Sequence, residues 1–416
     1  MHHFDYLIIG GSAAGTTAAE NIRNLDGNCS IGIITEEPHR LYSRILIPHY
    51  LKDRIPQDRL FLKTPQFYQE KNIQLITATR VLGVQPLKRV VGTSSGKEYS
   101  YNKLLLATGG KVNKWQVPGS DKSGIFYLRT YEDGVAVREA MRTAKKAVVV
   151  GGGFISLEFT TSFILAGIDT TVLVREPYYW ANILDEPSGK LIANLLEKNG
   201  AKVLTEEEVE KVELNSEVKS VVTKKGTKLG ADIIGVGIGI HIDLDYLKDT
   251  GIETQKGILT NEFLQTNAPD VFAAGDAAEF QDVLFGRRHM MGNWANAKAQ
   301  GEAVATNMVA NSSQKAVDGK LPFETASTYS INFFDNNLSF VGVVDGKAAD
   351  DVITRAQENS TGRILVKNSR IIGATLINRA KEQGILVDLV KKRADISKAL
   401  EKLADPNFEL VNLTQG

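Results

Sequence analysis

Two copies of one pattern constrain this chain more than any other feature: a short apolar strand, a glycine-rich turn, and a helix-like stretch of small or apolar residues. The first copy runs from Tyr6-Leu7-Ile8-Ile9 through Gly10-Gly11-Ser12-Ala13-Ala14-Gly15 into residues 16–23, with a further apolar run at 31–34. The second runs from Ala147-Val148-Val149-Val150 through Gly151-Gly152-Gly153 into residues 154–166 and on to 171–174. Unbroken apolar strands alternating with helical stretches specify parallel strands buried on both faces. The copies lie about 140 residues apart, so they are two domains on one plan, not a short tandem repeat.

The turn chemistry says what the plan is for. Gly10-x-Ser12-x-x-Gly15, between strand and helix, keeps the turn small enough for a pyrophosphate to reach backbone N–H groups at the helix N-terminus. Ser12 replaces the middle glycine, and Ala13 and Ala14 keep the turn slim. Glu36, 21 residues beyond Gly15, is placed to accept hydrogen bonds from an adenosine ribose. The second turn reads Gly151-x-Gly153-x-x-Ser156, with Phe154 and Ile155 opening the helix and Glu158 two residues further on. After its second strand, valine holds the expected acid position, followed by Arg175 and Glu176. Arg175 suits a 2′-phosphate and Glu176 a 2′-hydroxyl, so NADPH and NADH both stay open.

The expected fold class is α/β: two Rossmann-like dinucleotide-binding domains followed by a small C-terminal α+β domain. The C-terminal domain is expected at 321–416. A polar hairpin-like stretch is expected at 206–228. In the C-terminal part, short strands are expected at 329–334, 363–366 and 371–377, and a charged helix at 381–393.

Composition excludes several functions. The 49 basic and 49 acidic residues cancel, which gives a nucleic-acid partner no electrostatic basis. Cys29 is the only cysteine, so an intramolecular disulfide, a dithiol redox centre and a cysteine-ligated cluster are all impossible. His2, His3, His39, His241 and His289 show no metal-ligand spacing, and no metal site is expected. Residues 147–174 are the most hydropathic stretch, but three glycines, Glu158 and Asp169 make them a buried strand–helix–strand unit, not a membrane span. The N-terminus lacks a basic region followed by a long apolar one, so no signal peptide is expected. Low cysteine usage fits a reducing compartment, and the cytoplasm is the expected location.

At this point the chain resembles the pyridine nucleotide–disulfide oxidoreductases, the two-dinucleotide-domain flavoproteins. Leu104-Leu105-Leu106-Ala107-Thr108-Gly109-Gly110 is similar to the segment where such a chain leaves its flavin domain. Residues 234–239, containing Gly237, resemble the matching segment on the return, so the resemblance implies a second domain inserted in the first, with boundaries at 1–112 and 241–320 for the first and 113–240 for the second. The run Thr266-Asn267-Ala268-Pro269-Asp270-Val271-Phe272-Ala273-Ala274-Gly275-Asp276 resembles the second flavin motif, in which Gly275 and Asp276 would hold the ribityl chain. Trp294-Ala295-Asn296-Ala297 with Gln300-Gly301 resembles the helix facing the flavin pyrimidine ring. Val81 resembles the strand residue whose backbone contacts adenine.

Leu41-Tyr42-Ser43-Arg44 resembles the branch of ferredoxin, rubredoxin and nitrite reductases that carries Tyr-(Ser/Asp)-Arg where disulfide reductases carry cysteine. The resemblance puts Arg44 near the flavin phosphates or ring. Relatives often have a lysine in the following helix, paired with the glutamate of the second loop. Here His49 takes the lysine position, so His49 and Glu158 are expected either to face each other beside the nicotinamide, or His49 is a polar core residue. The implied activity is hydride transfer from NADH or NADPH to FAD. Electrons would then pass, without a disulfide, to a small electron-carrier protein or partner subunit. Alternatives are a slow-turnover interaction or redox-sensing subunit and an NADH oxidase. In such proteins the C-terminal domain supports a homodimer or covers the flavin, and Arg287-Arg288-His289 is either a docking patch for an acidic carrier or a solvated loop.

Overall fold

The computed structural model describes residues 2–215, 218–310 and 319–414. The chain divides into two compact units. The first comprises Met1–Ser43, Asp58–Lys111 and His241–Ser327, and the second Arg44–Gln57, Val112–Ile240 and Thr328–Gly416.

In the first unit, strand His2–Ile9 lies at the centre of a seven-stranded sheet. Its parallel neighbours are Ile31–Ile34 on one side and Glu98–Leu106 on the other, with Ile73–Ile76 beyond the former. Val271–Ala273 also pairs in parallel with Glu98–Leu106, and Val81–Gln85 and Val90–Thr93 complete the sheet in antiparallel fashion. Alternation along the central strand sends Tyr6 and Ile8 into one core and Leu7 and Ile9 into the other, each fully buried aliphatic side chain contributing about 1.5–3 kcal/mol. Connections leave the central strand in opposite directions, so a crevice opens at its carboxyl end, where Gly10 begins the glycine turn.

Helix Ala13–Leu25 follows that turn and buries Ala13, Ala14, Ala18 and Ala19. These small side chains let helix Trp294–Ala310 approach closely: a Cβ on Gly301 would stand 2.6 Å from the Ala14 carbonyl oxygen.

The second unit repeats the arrangement. Its five parallel strands run in the order Lys202–Thr205, Asp169–Val174, Lys146–Val150, Ile233–Val236, Ile125–Phe126. Helix Phe154–Leu165 has Glu158 as its one charged residue and buries residues 156, 157 and 159–163. Residues 206–228 lie largely in an antiparallel three-stranded sheet, Val209–Asn215, Val218–Thr223 and Lys228–Ala231.

The C-terminal residues form a five-stranded antiparallel sheet, in the order Thr328–Phe333, Asn336–Gly342, Arg370–Ile377, Ser360–Lys367, Asp351–Gln357, with helix Ala380–Lys391 beside it. This sheet clusters with the second unit. Arg363 donates to the Ile183 carbonyl at 2.8 Å, and the Thr354 hydroxyl donates to Asp185 at 3.1 Å.

The segment Arg44–Gln57, read from sequence as part of the first domain, also belongs to the second unit. Ile47 packs on Gly134, Arg138 pairs with Asp53 and lies over the Tyr50 ring, and Gln57 bonds Tyr131. Among the described residues, no helix is long and apolar enough to cross a membrane.

Candidate dinucleotide and redox site

Gly10 sits at φ +114°, a conformation closed to side chains, and a Cβ there would strike the carbonyl oxygen of Ala107. The turn is therefore pressed against Ala107-Thr108-Gly109, at the end of the neighbouring strand. Ser12 caps helix Ala13–Leu25 without a side-chain bond, and the first turn holds no acid. Helix Tyr131–Met141 in the same chain is capped by its Thr130 side chain instead. The uncapped N–H groups of the first loop are donors for an anion.

Glu36 lies two residues past strand Ile31–Ile34, half-exposed. Arg80 and Lys111 each approach its carboxylate to 3.9 Å. Both cations also pair with Asp243, at 3.0 and 2.8 Å, and the Lys111 hydrogen bond leads in holding the Asp243 carboxyl below its usual range. Val81 is buried at the start of its strand.

On the far side of the first-loop helix, Gly275 donates its N–H to the Gln300 side-chain oxygen at 2.7 Å. Asp276 follows in a one-turn 3-10 helix, Gly275–Ala277, and Trp294 packs partly buried against the core there. Gln300 Nε2, Asn296 Oδ1 and Asn293 Nδ2 are buried with no partner among the described residues. Buried amide atoms are costly unless bonded, so three of them fit a bound group with polar ring edges. With the glycine turn and Glu36, the first unit fits FAD.

The second loop repeats the first. Gly151 has φ +115°, and its Cβ would strike the Gly237 carbonyl. Gly153 caps helix Phe154–Leu165 without a side chain, and Ile155 lies in its first turn. Ser156, standing for the third glycine, is fully buried and donates to the Gly237 carbonyl at 3.3 Å. Its hydroxyl thus uses the space that a close helix–strand contact leaves. Arg175 and Glu176 pair with each other at 2.9 Å, just past strand Asp169–Val174.

Glu158, one turn into the helix, meets an ammonium at 2.8 Å, and that ammonium belongs to Lys52, not His49. His49 lies in the short helix Ile47–Leu51, and Lys52 is its C-cap, three residues on and so on the same side. Only the longer lysine side chain makes the bond. Lys52 is 4% exposed and Glu158 17%. Burial raises the Glu158 carboxyl above its usual range, with Lys52 opposing. Burial, then the neighbouring Lys52 and Arg54, depress the His49 imidazole. Arg44, expected at the flavin, donates to the Arg129 carbonyl at 2.6 Å.

Cys29 is buried, its thiol donating to the Asp26 carbonyl at 3.2 Å, and burial pushes it up to about 11, which keeps it a thiol. His289 pairs with the fully buried Asp282 at 3.1 Å.

A duplicated dinucleotide fold, with uncapped glycine loops and a flavin-type Gly275-Asp276 turn, defines a two-nucleotide flavoprotein. The chain belongs to the pyridine nucleotide-disulphide oxidoreductase family, whose sequence pattern matches residues 4–301. Membership makes it an oxidoreductase working with FAD and NAD(P)H. It is 29% identical over 395 residues to nitrite reductase [NAD(P)H] of Bacillus subtilis (strain 168), covering 94% of this chain and 48% of that protein. It is 27% identical to rubredoxin-NAD(+) reductase of Pseudomonas putida, covering 92% and 98%. The chain spans about half the length of some curated relatives it matches and nearly all of others. Among solved structures it is similar to a covalent putidaredoxin reductase–putidaredoxin complex, with a TM-score of 0.91, 25% identity, and coverage of 100% and 99%.

Proposed function

We propose that this chain takes hydride from NADH onto FAD and hands the electrons to a small redox protein or a partner subunit, with no thiol on the route. The observation that carries this reading is the state of Cys29. The only sulfhydryl is buried, held as a thiol and bonded to Asp26, so electrons leaving the flavin have no dithiol to pass through. When bound, the flavin accepts a hydride and can release electrons singly.

The chain's own residues bind and align. The N–H groups of the two glycine loops hold pyrophosphates, and Glu36 takes an adenosine ribose. Arg44, held by Arg129, orients its own helix segment. Glu158, held in place by Lys52, accepts from the nicotinamide carboxamide, and the fixed pair prevents rotation of that group out of line. His49, held neutral by burial and the adjacent cations, contributes packing and a polar edge. Glu176 accepts from a ribose hydroxyl and neutralises Arg175, which favours NADH over NADPH.

The similar rubredoxin-NAD(+) reductase of Pseudomonas putida and assimilatory nitrate reductase electron transfer subunit of Bacillus subtilis (strain 168) support an acceptor that is itself a redox protein. The single buried thiol fits the reducing cytoplasm. The test is an anaerobic titration with NADH and then NADPH, following flavin absorbance, and afterwards addition of oxidised rubredoxin or ferredoxin. Bleaching by NADH and recovery by the carrier support the reading. A bound flavin that neither nucleotide reduces would favour an interaction role instead.

A further inference from the structure

Trp180 lies in the second unit, six residues past strand Asp169–Val174. Its backbone is left-handed, φ +58°, a rare conformation for a bulky side chain that persists only when its surroundings fix it. The surroundings do so here. The Trp180 carbonyl accepts from Ile183 and Leu184, both at 2.9 Å, and Arg363 of the C-terminal sheet clamps the Ile183 carbonyl. The indole packs edge-on against two rings that also touch each other, with centroids 5.4 Å apart. Phe154, the first residue of the second-loop helix, is 4.6 Å away at 78°, and Phe340 of the C-terminal sheet is 5.4 Å away at 63°.

This clamp presses Trp180 onto the glycine turn itself. A Cβ on Gly152 would stand 3.3 Å from the Trp180 backbone nitrogen, and one on Gly153 would stand 3.8 Å from indole Cε2 and Nε1. Next to it, the buried Tyr179 hydroxyl donates to the Gly153 carbonyl at 3.3 Å. The Nε1–H edge thus lies beside the N-cap of helix Phe154–Leu165. Among the described residues it has no hydrogen-bond partner, and the residue is only partly buried.

We propose that Trp180 is a nucleotide-binding residue that walls the second glycine loop and donates its indole N–H to the pyrophosphate of the nicotinamide dinucleotide. This deepens the reading above and rests on it for the identity of the ligand. The C-terminal sheet, through Phe340 and Arg363, is what holds the indole in place.

The test uses the oxidised flavoprotein and ADP-ribose, which carries the adenosine and pyrophosphate but has no nicotinamide, with binding measured by calorimetry. Trp180→Phe keeps the ring stack and loses the donor. It is expected to weaken ADP-ribose about tenfold or more, the range of a hydrogen bond to a charged group, and to raise KM for NADH in parallel. The limiting rate of flavin reduction stays at the wild-type value, a split that general loosening would not give. Flavin content equal to wild type shows that the variant has folded. Unchanged ADP-ribose affinity in Trp180→Phe overturns the proposal. Failure of the functional reading looks different, because then the wild-type flavin stays oxidised with NADH and NADPH alike, while ADP-ribose still reports on Trp180.

Discussion

Lys52 and Glu158 meet at 2.8 Å across a sequence separation of 106, the lysine side chain 4% exposed and the glutamate side chain 17%. An ion pair this enclosed is retained for what it holds more than for stability, since the desolvation of both charges offsets most of their attraction. The two partners are not equivalent. Glu158 can escape by taking a proton, and burial already pushes it that way, whereas the Lys52 ammonium is enclosed more completely.

Glu158→Gln therefore destabilises more than Lys52→Met. The first strands a buried cation, at about 3–5 kcal/mol, and the second leaves a carboxyl that neutralises itself. The double variant recovers part of the loss. Denaturant midpoints of the three proteins test the order, and equal losses in both single variants would contradict it. Both single variants slow flavin reduction by NADH about tenfold or more, through misalignment of the carboxamide.

The two perturbed groups give opposite pH slopes. Glu158 has its folded value above the ordinary 4.5. Between those values the folded protein keeps a proton that the unfolded chain has released, so stability falls as pH rises through that window and is fully relieved below 4.5. His49 has its folded value below the ordinary 6.5. There the unfolded chain binds the proton first, so stability falls as pH drops from 6.5 to the folded value. His49→Gln is expected to flatten the decline below pH 6.5. Midpoints collected from pH 4 to 8 that follow the wild-type curve would remove His49 from this account.

Gly10→Ala places a methyl against the Ala107 carbonyl at a backbone angle that alanine avoids. The strand ends on both sides of the crevice are then forced apart, and the expected product is a protein that purifies without yellow colour. Retention of stoichiometric flavin would show that the first loop is not where the pyrophosphate rests.

Glu176→Lys adds a second cation beside Arg175, whose guanidinium now pairs with Glu176 at 2.9 Å. The nucleotide preference is expected to move toward NADPH, because a 2′-phosphate meets two cations where a ribose hydroxyl had a carboxylate. The ratio of kcat/KM for the two nucleotides checks this, and a ratio equal to wild type would take the loop after strand Asp169–Val174 out of the specificity argument.

Where the sequence could be read, the physics was local. Gly10 and Gly151 announce a strand–turn–helix because only glycine tolerates their backbone angles, and Ser156 is legible as a small residue at a close contact. Lys52 was hidden because its helix is five residues long: the spacing of the resemblance points to His49, and the side chain that reaches Glu158 comes one turn later. For Trp180 the available signal was three consecutive aromatic residues, with Tyr178 and Tyr179, just after the expected ribose-binding position. The burial of Arg355 and Arg363 depends on carbonyl groups brought in from residues 183 and 403–408, and no local pattern encodes that.

Arg355 gives the sharpest stability prediction. Its side chain is fully buried, and the guanidinium donates to the carbonyls of Leu403, Pro406 and Phe408 at 2.8, 3.3 and 2.7 Å. Glu382 lies 3.5 Å away and also pairs with Arg379. One planar fork thus gathers the chain after helix Ala380–Lys391, whose described residues form the short 3-10 turns Ser397–Lys402 and Leu410–Leu413. Arg355→Met fills much of the volume but leaves those carbonyls without donors, at about 1–3 kcal/mol for each buried group that water cannot reach. Arg355→Lys restores the charge but not the planar fork, so it recovers only part of the loss. The expected result is a lower midpoint and faster proteolysis between residues 395 and 414, with FAD still bound. A wild-type cleavage pattern in Arg355→Met would mean that the tail is held by its apolar contacts, such as Leu403 and Leu410, and not by the guanidinium.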